Sequence, residues 1–356
     1  MNRKAAGVLL AGVASFVSLL LASSSASAQS SNPAMSEPDR FMWEVFSEIN
    51  APAGDGSNNV VWETWALPID LFGNPNVEPE WPSQEAPRAK VLETLRQQEL
   101  LRAHVASSTQ TALEDTPEFA GPGSEVRINR PLFDFVVAQK LWYVEGQEQA
   151  FARGNPIDSS TESKEVKAVW RQISESERNR YHWQPYAEGT YGLIALHIIT
   201  KDIPAWTWAT WEHIDSPDLC VTNTCSDRFG RTPDGEASEA LKEMLQAAGL
   251  GNHWLNYRLV GTQMNYTDSI GRDIVVGNSV IESGFTRQSS CMTCHARASI
   301  GPRIPGLLAN RLSVFPPETG TPDPDWFIGP GSSQAPKYLQ LDFVWTFTRA
   351  RRRSSP

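Results

Sequence analysis

The sequence predicts an α+β fold: antiparallel strands with flanking helices, loop-rich along much of its length. Three observations carry that reading. The densest stretch, residues 191–214 (YGLIALHIITKDIPAWTWATWEHI), has two runs of β-branched and aromatic residues around Lys201-Asp202-Ile203-Pro204, the pattern of a hairpin or of two neighbouring strands. Other stretches space their apolar residues three and four apart, as helices do. Between them lie segments rich in Pro, Gly and Ser that break regular structure.

Taken in order, residues 1–28 read as an export signal. Arg3 and Lys4 form a positive start, residues 5–21 an apolar run, and Ala26-Ser27-Ala28 a small-residue cleavage site. The run is long enough for an anchor, but Ser15 and Ser18 weaken it, and cleavage leaves no integral membrane span. Residues 29–38 are a polar lead. A helix capped by Ser36 or Asp39 follows through Phe41, Val45, Phe46 and Ile49. Trp62 and Trp65 lie in an expected strand over 59–67 that Pro68 ends. A proline-rich loop over 70–88 leads to an amphipathic helix over 89–104, built on Val91, Leu92, Leu95 and Leu100.

Residues 107–124 are linker-like, so the chain divides into the signal 1–28, an N-terminal region 29–124 and a main α+β domain 125–356; the last two can equally form one continuous domain. A second helix is expected from Pro131 through Phe135, Val136, Lys140 and Tyr143 to about residue 152. A short helix over 161–173 is expected next, capped by Ser or Thr ahead of Glu165. In the 191–214 unit, alternation puts Trp206, Trp208 and Thr210 on one face, and Thr207, Ala209 and Trp211 on the other. The loop over 215–237 holds Cys220 and Cys225, whose use in an oxidising compartment is a disulfide. A helix over 238–248 ends at Gly249 and Gly251, and a strand over 254–264 follows. Loops over 266–290 and 297–333 flank Cys291, and residues 338–348 (YLQLDFVWTFT) alternate as a closing strand.

The chemistry is concentrated in Cys291-Met292-Thr293-Cys294-His295, which reads C-x-x-C-H. On one helical turn, residues i, i+3 and i+4 share a face, so two thiols and an imidazole converge. The motif resembles the attachment site of c-type cytochromes. That resemblance implies one covalent haem c, with thioether bonds from Cys291 and Cys294 and with His295 as proximal iron ligand. Zinc would want further ligands at short spacing, and the chain has no second C-x-x-C and no H-x-x-x-H. A thioredoxin-like dithiol would follow an early strand of a βαβ unit. Ser226 follows Cys225, so that pair does not hold a second haem. Haem c is attached outside the cytoplasm, which agrees with the export signal and implies a periplasmic or otherwise exported protein.

The motif stands late in the chain: 61 residues follow His295, with no His and no Met among them. A sixth iron ligand must therefore come from upstream, from weaker groups such as Lys337 or Tyr338, or be absent. Upstream candidates are His197, His213, His253 and Met264, with His197 first because a strand would aim it rigidly. A β-rich body, a late motif and a final Asp-Phe-Val-Trp-Thr-Phe run (residues 342–347) are also similar in layout to two groups. These are the β-sheet cytochromes c prime and the hydroxylamine-oxidising cytochromes whose haem carries a lysine cross-link. The similarity covers about the last 70 residues, the long insertion between motif and final run departs from it, and no lysine is assigned to such a link.

The function expected on these grounds is electron transfer by an exported single-haem cytochrome. Removing Arg3 and Lys4 takes the formal charge from −10 to −12, which suits a basic redox partner protein and excludes nucleic acid as a partner. The rival is a haem-c oxidoreductase with an open distal site, acting on peroxide, small nitrogen compounds or an organic substrate. A third reading takes the 13 tryptophans as a ligand-binding surface, against their use as core-filling rings.

Overall fold

A computed structural model describes residues 32–82, 123–186, 189–220, 225–232, 234–327 and 337–354. The export signal, the helix over 89–104 and nearly all of the 107–124 linker lie outside the described residues. Residues 33–356 form one compact unit.

Its centre is an antiparallel six-stranded sheet: β1 (Ser124–Ile128), β2 (Lys164–Ile173), β3 (Trp183–Tyr186), β4 (Gly189–Thr200), β5 (Thr207–His213) and β6 (Tyr257–Gln263), in the order β1-β2-β4-β5-β6. β3 joins the edge of β4 beyond the end of β5. The predicted hairpin over 191–214 is β4 and β5. Its alternation holds: Ala209 and Trp211 enter one hydrophobic core, while Trp206 and Trp208 enter the other.

The first core packs helix α1 (Pro38–Ile49) and helix α4 (Glu239–Ala247) on Val166, Ala168, Trp170, Leu196, Ile198 and Trp211. The second packs helices α2 (Arg130–Ala138) and α3 (Val144–Arg153) with Ile128, Ile199, Trp208 and the C-terminal run on the opposite face. Helix α1 arises as its apolar spacing predicts, although Glu37, with no side-chain cap, starts it and Pro38 supplies the preset φ of the first turn. Ser238 caps α4 by accepting from Leu241 N.

Four expectations are corrected. Within residues 161–173, strand β2 (Lys164–Ile173) stands in place of the helix: Val166, Ala168 and Trp170 alternate into the first core, a period of two that the reading of Glu165 as a capping partner obscures. The single helix from residue 131 is two helices, because Lys140 takes a positive φ of 58° and turns the chain between them. The strand over 59–67 is a short 3-10 turn, Val61–Thr64, in which the Glu63 carboxylate accepts from Val60 N, with single bridges at Val60 and Ala66. The closing strand over 338–348 is only β8 (Leu339–Gln340), paired with β7 (Ser299–Ile300). Asp342 and Phe343, with φ of 50° and 64°, then turn the chain into a 3-10 segment, Trp345–Arg349.

Candidate functional site

The C-x-x-C-H run is a helix, α5 (Cys291–Ala296), against the second-core face of the sheet. Ser290 starts it by accepting from Thr293 N, and its hydroxyl is held by the Gln263 amide of β6 at 2.9 Å. The Gln263 side-chain oxygen accepts from Met292 N at 3.2 Å. The Thr293 hydroxyl donates to the Gly320 carbonyl at 2.6 Å, and Met292 is buried in the second core. The two middle residues thus fasten the helix, while Cys291, Cys294 and His295 share another face. Trp345 Nε1 donates to the Cys294 carbonyl at 3.1 Å and steadies the helix end.

His295 lies against Trp208, ring centroids 4.5 Å apart. Its Nδ1 is 2.8 Å from the Phe343 carbonyl oxygen. A carbonyl only accepts, so Nδ1 carries the proton and Nε2 of the neutral ring keeps its lone pair. Burial pulls the His295 pKa down to about 4, so the ring is neutral near pH 7. This is the state and tautomer of an imidazole ready to ligate a metal through Nε2. Burial also pushes the thiol of Cys294 up to about 11 and that of Cys291 well above the ordinary range; both are unpaired and protonated.

Strand register sets what faces the helix. Lys167 of β2 pairs with His197 of β4, which pairs with Thr210 of β5. This row stands on the Trp208 side of the sheet. Glu282, from the loop ahead of α5, reaches the same place: its carboxylate is 3.6 Å from His197 Nε2 and accepts from Asn278 N at 2.7 Å. Burial alone would push the Glu282 carboxyl up, but His197 and Lys167 outweigh it and leave it below the usual range. Burial lowers the Lys167 pKa, with Glu282 opposing. Lys167, His197, Glu282, Cys291, Cys294 and His295 lie deep in the fold yet each keeps partial exposure. Phe285, Phe315 and Pro317 line a small cleft that reaches Cys294.

Of the upstream candidates, His197 alone among the three histidines stands in this row. His213, at the end of β5, stacks on Tyr181 at 3.8 Å; its Nε2 donates to the Arg180 carbonyl and its Nδ1 accepts from Asp215 N. His253 packs beside Trp254, a residue of the first core. Met264 stands one residue beyond β6. Lys337 is exposed, and Tyr338 donates its backbone N–H to Trp326. The sulfurs of Cys220 and Cys225 are bonded to each other. Lys167 and Glu282 escaped the reading of the sequence. The alternation in β2 was the available signal for Lys167; for Glu282, a loop residue, there was none.

Among the described residues, no group of three or more His, Cys, Asp and Glu is arranged to hold a metal ion by itself. The donor set suits a prosthetic group that brings its own iron: two thiols one turn apart and, beside them, an imidazole whose Nδ1–H is engaged. No protein-family model, curated protein or solved structure matches the chain.

Proposed function

We propose that this chain is an exported c-type haem protein that serves electron transfer, with haem thioether-linked to Cys291 and Cys294 and ligated by His295. The observation that carries the reading is the conjunction of C-x-x-C-H on one helical turn with a His295 ring whose Nδ1–H is spent on the Phe343 carbonyl. When bound, the haem supplies an iron that cycles between two oxidation states. The chain's own residues do the rest: the thiols fix the group, and Trp208 and the Phe343 carbonyl orient the imidazole. His197 is the proposed sixth ligand, since it stands on a rigid central strand in the row facing the helix.

One observation favours the rival, a haem-c oxidoreductase with an open sixth position. The row holds Lys167 and Glu282 as well as His197, and His197 Nε2 lies just beyond hydrogen-bond range of the Glu282 carboxylate. Groups able to give and take protons beside a redox centre suit a substrate such as peroxide or a small nitrogen compound. The optical spectrum of the purified, exported protein with and without carbon monoxide decides between them. Electron transfer predicts low-spin ferrous iron, slow to bind carbon monoxide, with His197→Ala opening the site. Rapid binding by the unmodified high-spin ferrous protein would establish the oxidoreductase instead. Absence of a haem spectrum, from a host with intact attachment machinery, would end both.

A further inference from the structure

The turn that presents the Phe343 carbonyl is made from residues poorly suited to it. Asp342 and Phe343 both have positive φ, and Val344 N closes the turn on the Leu341 carbonyl at 2.9 Å. Two central residues with positive φ favour Asn-Gly or Gly-Gly, and a bulky Phe there is strained. Something must hold the turn in place.

What holds it is a buried ion pair. Lys201, in the β4–β5 connection, places Nζ 2.5 Å from one Asp342 carboxylate oxygen, and both side chains are nearly fully buried. The other oxygen accepts from Ser159 N at 2.9 Å and from the Ser159 hydroxyl at 2.6 Å. The ammonium also reaches the Pro204 carbonyl at 2.8 Å and Asp158 at 2.9 Å. Two segments distant in sequence, at Ser159 and Lys201, therefore grip the Asp342 side chain, next to the carbonyl that accepts the His295 Nδ1–H.

We infer that the Lys201–Asp342 pair is a positioning device for His295: it fixes the Asp342-Phe343 turn so that the Phe343 carbonyl sets the tautomer, ring orientation and basicity of the imidazole. The inference rests on the haem reading of His295 and goes beyond it. Neither Lys201 nor Asp342 touches the ring. Each acts through the backbone, and the strain of two left-handed residues is the cost of an Asp at a position where glycine would relax but could not be gripped.

The test uses the full exported, haem-loaded protein and the variants Lys201→Met, Lys201→Arg, Asp342→Asn and Lys201→Met/Phe343→Gly. Three values are read for each: covalent haem content, reduction potential, and the pH at which acid displaces His295. Loosening the carbonyl makes the imidazole a poorer donor. Lys201→Met and Asp342→Asn should therefore raise the potential and shift the acid midpoint up by about one pH unit, a tenfold weaker hold. Lys201→Arg, which keeps the charge, should stay close to the unmodified protein. Adding Phe343→Gly to Lys201→Met should bring both values back, since glycine holds positive φ without being gripped. If Asp342→Asn does not accumulate, the contrast between Lys201→Met and Lys201→Arg decides alone. Haem-loaded Lys201→Met with unchanged potential and acid midpoint, whatever its melting temperature, overturns the inference and leaves the haem reading standing. Absence of covalent haem from the unmodified protein overturns both.

Discussion

Two polar groups on opposite faces of the sheet, one around Glu63 and one around Glu282, are built in opposite ways. On the α1 side, Glu63 is fully engaged: its carboxylate accepts from Val60 N at 2.8 Å, from Gln184 at 3.0 Å and bonds His182 Nε2 at 3.1 Å. His182 is in turn stacked on Trp254 at 5.0 Å. On the α5 side, His197 and Glu282 are gathered without that closure; their nearest approach is 3.6 Å, and both keep partial exposure. A closed polar network ties segments together and specifies packing. A looser pair keeps its groups available, and the His197–Glu282 pair stands on the α5 side, where the closed Lys201–Asp342–Ser159 network lies too. On the proposed haem reading, the loose pair belongs to the chemistry and the Glu63 network to the structure.

The comparison breaks most readily at Glu63. Glu63→Ala leaves His182, Gln184 and the Val60 N–H buried without their acceptor, so it should cost about 3–5 kcal/mol in denaturant unfolding. The spectrum of the haem-loaded protein should not move. Glu165 of β2 sharpens it next. One of its carboxylate oxygens is buried with no hydrogen-bond partner, and burial pushes its pKa up to about 7. The folded state therefore binds a proton that the unfolded chain releases near 4.5. Stability should fall as pH rises from about 4.5 to about 7, by about 3 kcal/mol in all. Glu165→Gln should abolish that fall, as read by unfolding at several pH values.

Glu282→Gln should cost less, about 1–2 kcal/mol, because a Gln oxygen can still accept from Asn278 N. Its effect belongs to the chemistry: the pH dependence of the haem spectrum or of carbon monoxide binding should change, which Glu63 variants should leave alone. Of similar size at most, reducing the Cys220–Cys225 bond releases a very short loop, and should lower stability by about 2 kcal/mol or less.

How far the sequence reveals this arrangement depends on whether the information is local. The α5 motif, the helix of Phe41, Val45, Phe46 and Ile49, the Ser238-capped helix and the β4–β5 hairpin with its two tryptophan faces are written in short-range spacing, and the structure has them. Lys167 was misplaced because a capping pattern around Glu165 competed with an alternation of equal length, and only packing on the sheet decides between them. Glu282 and the Asp342-Phe343 turn lie deeper. Both depend on partners distant in sequence, His197 and Lys201, and the turn contradicts local preference outright. Such contradiction is the mark of a position held for what it presents, here a carbonyl aimed at His295.

The central claim is that Cys291 and Cys294 carry a covalent haem facing the Lys167–His197–Glu282 row. Its most direct test is peptide mapping by mass spectrometry of the protein exported from a host with intact haem-attachment machinery. The account predicts one haem added to the peptide containing residues 291–295 and none elsewhere, resistant to acid-acetone, and lost in the double variant Cys291→Ala/Cys294→Ala. A 291–295 peptide recovered with two free thiols, or with a disulfide between them, from a protein lacking any haem absorbance would contradict it.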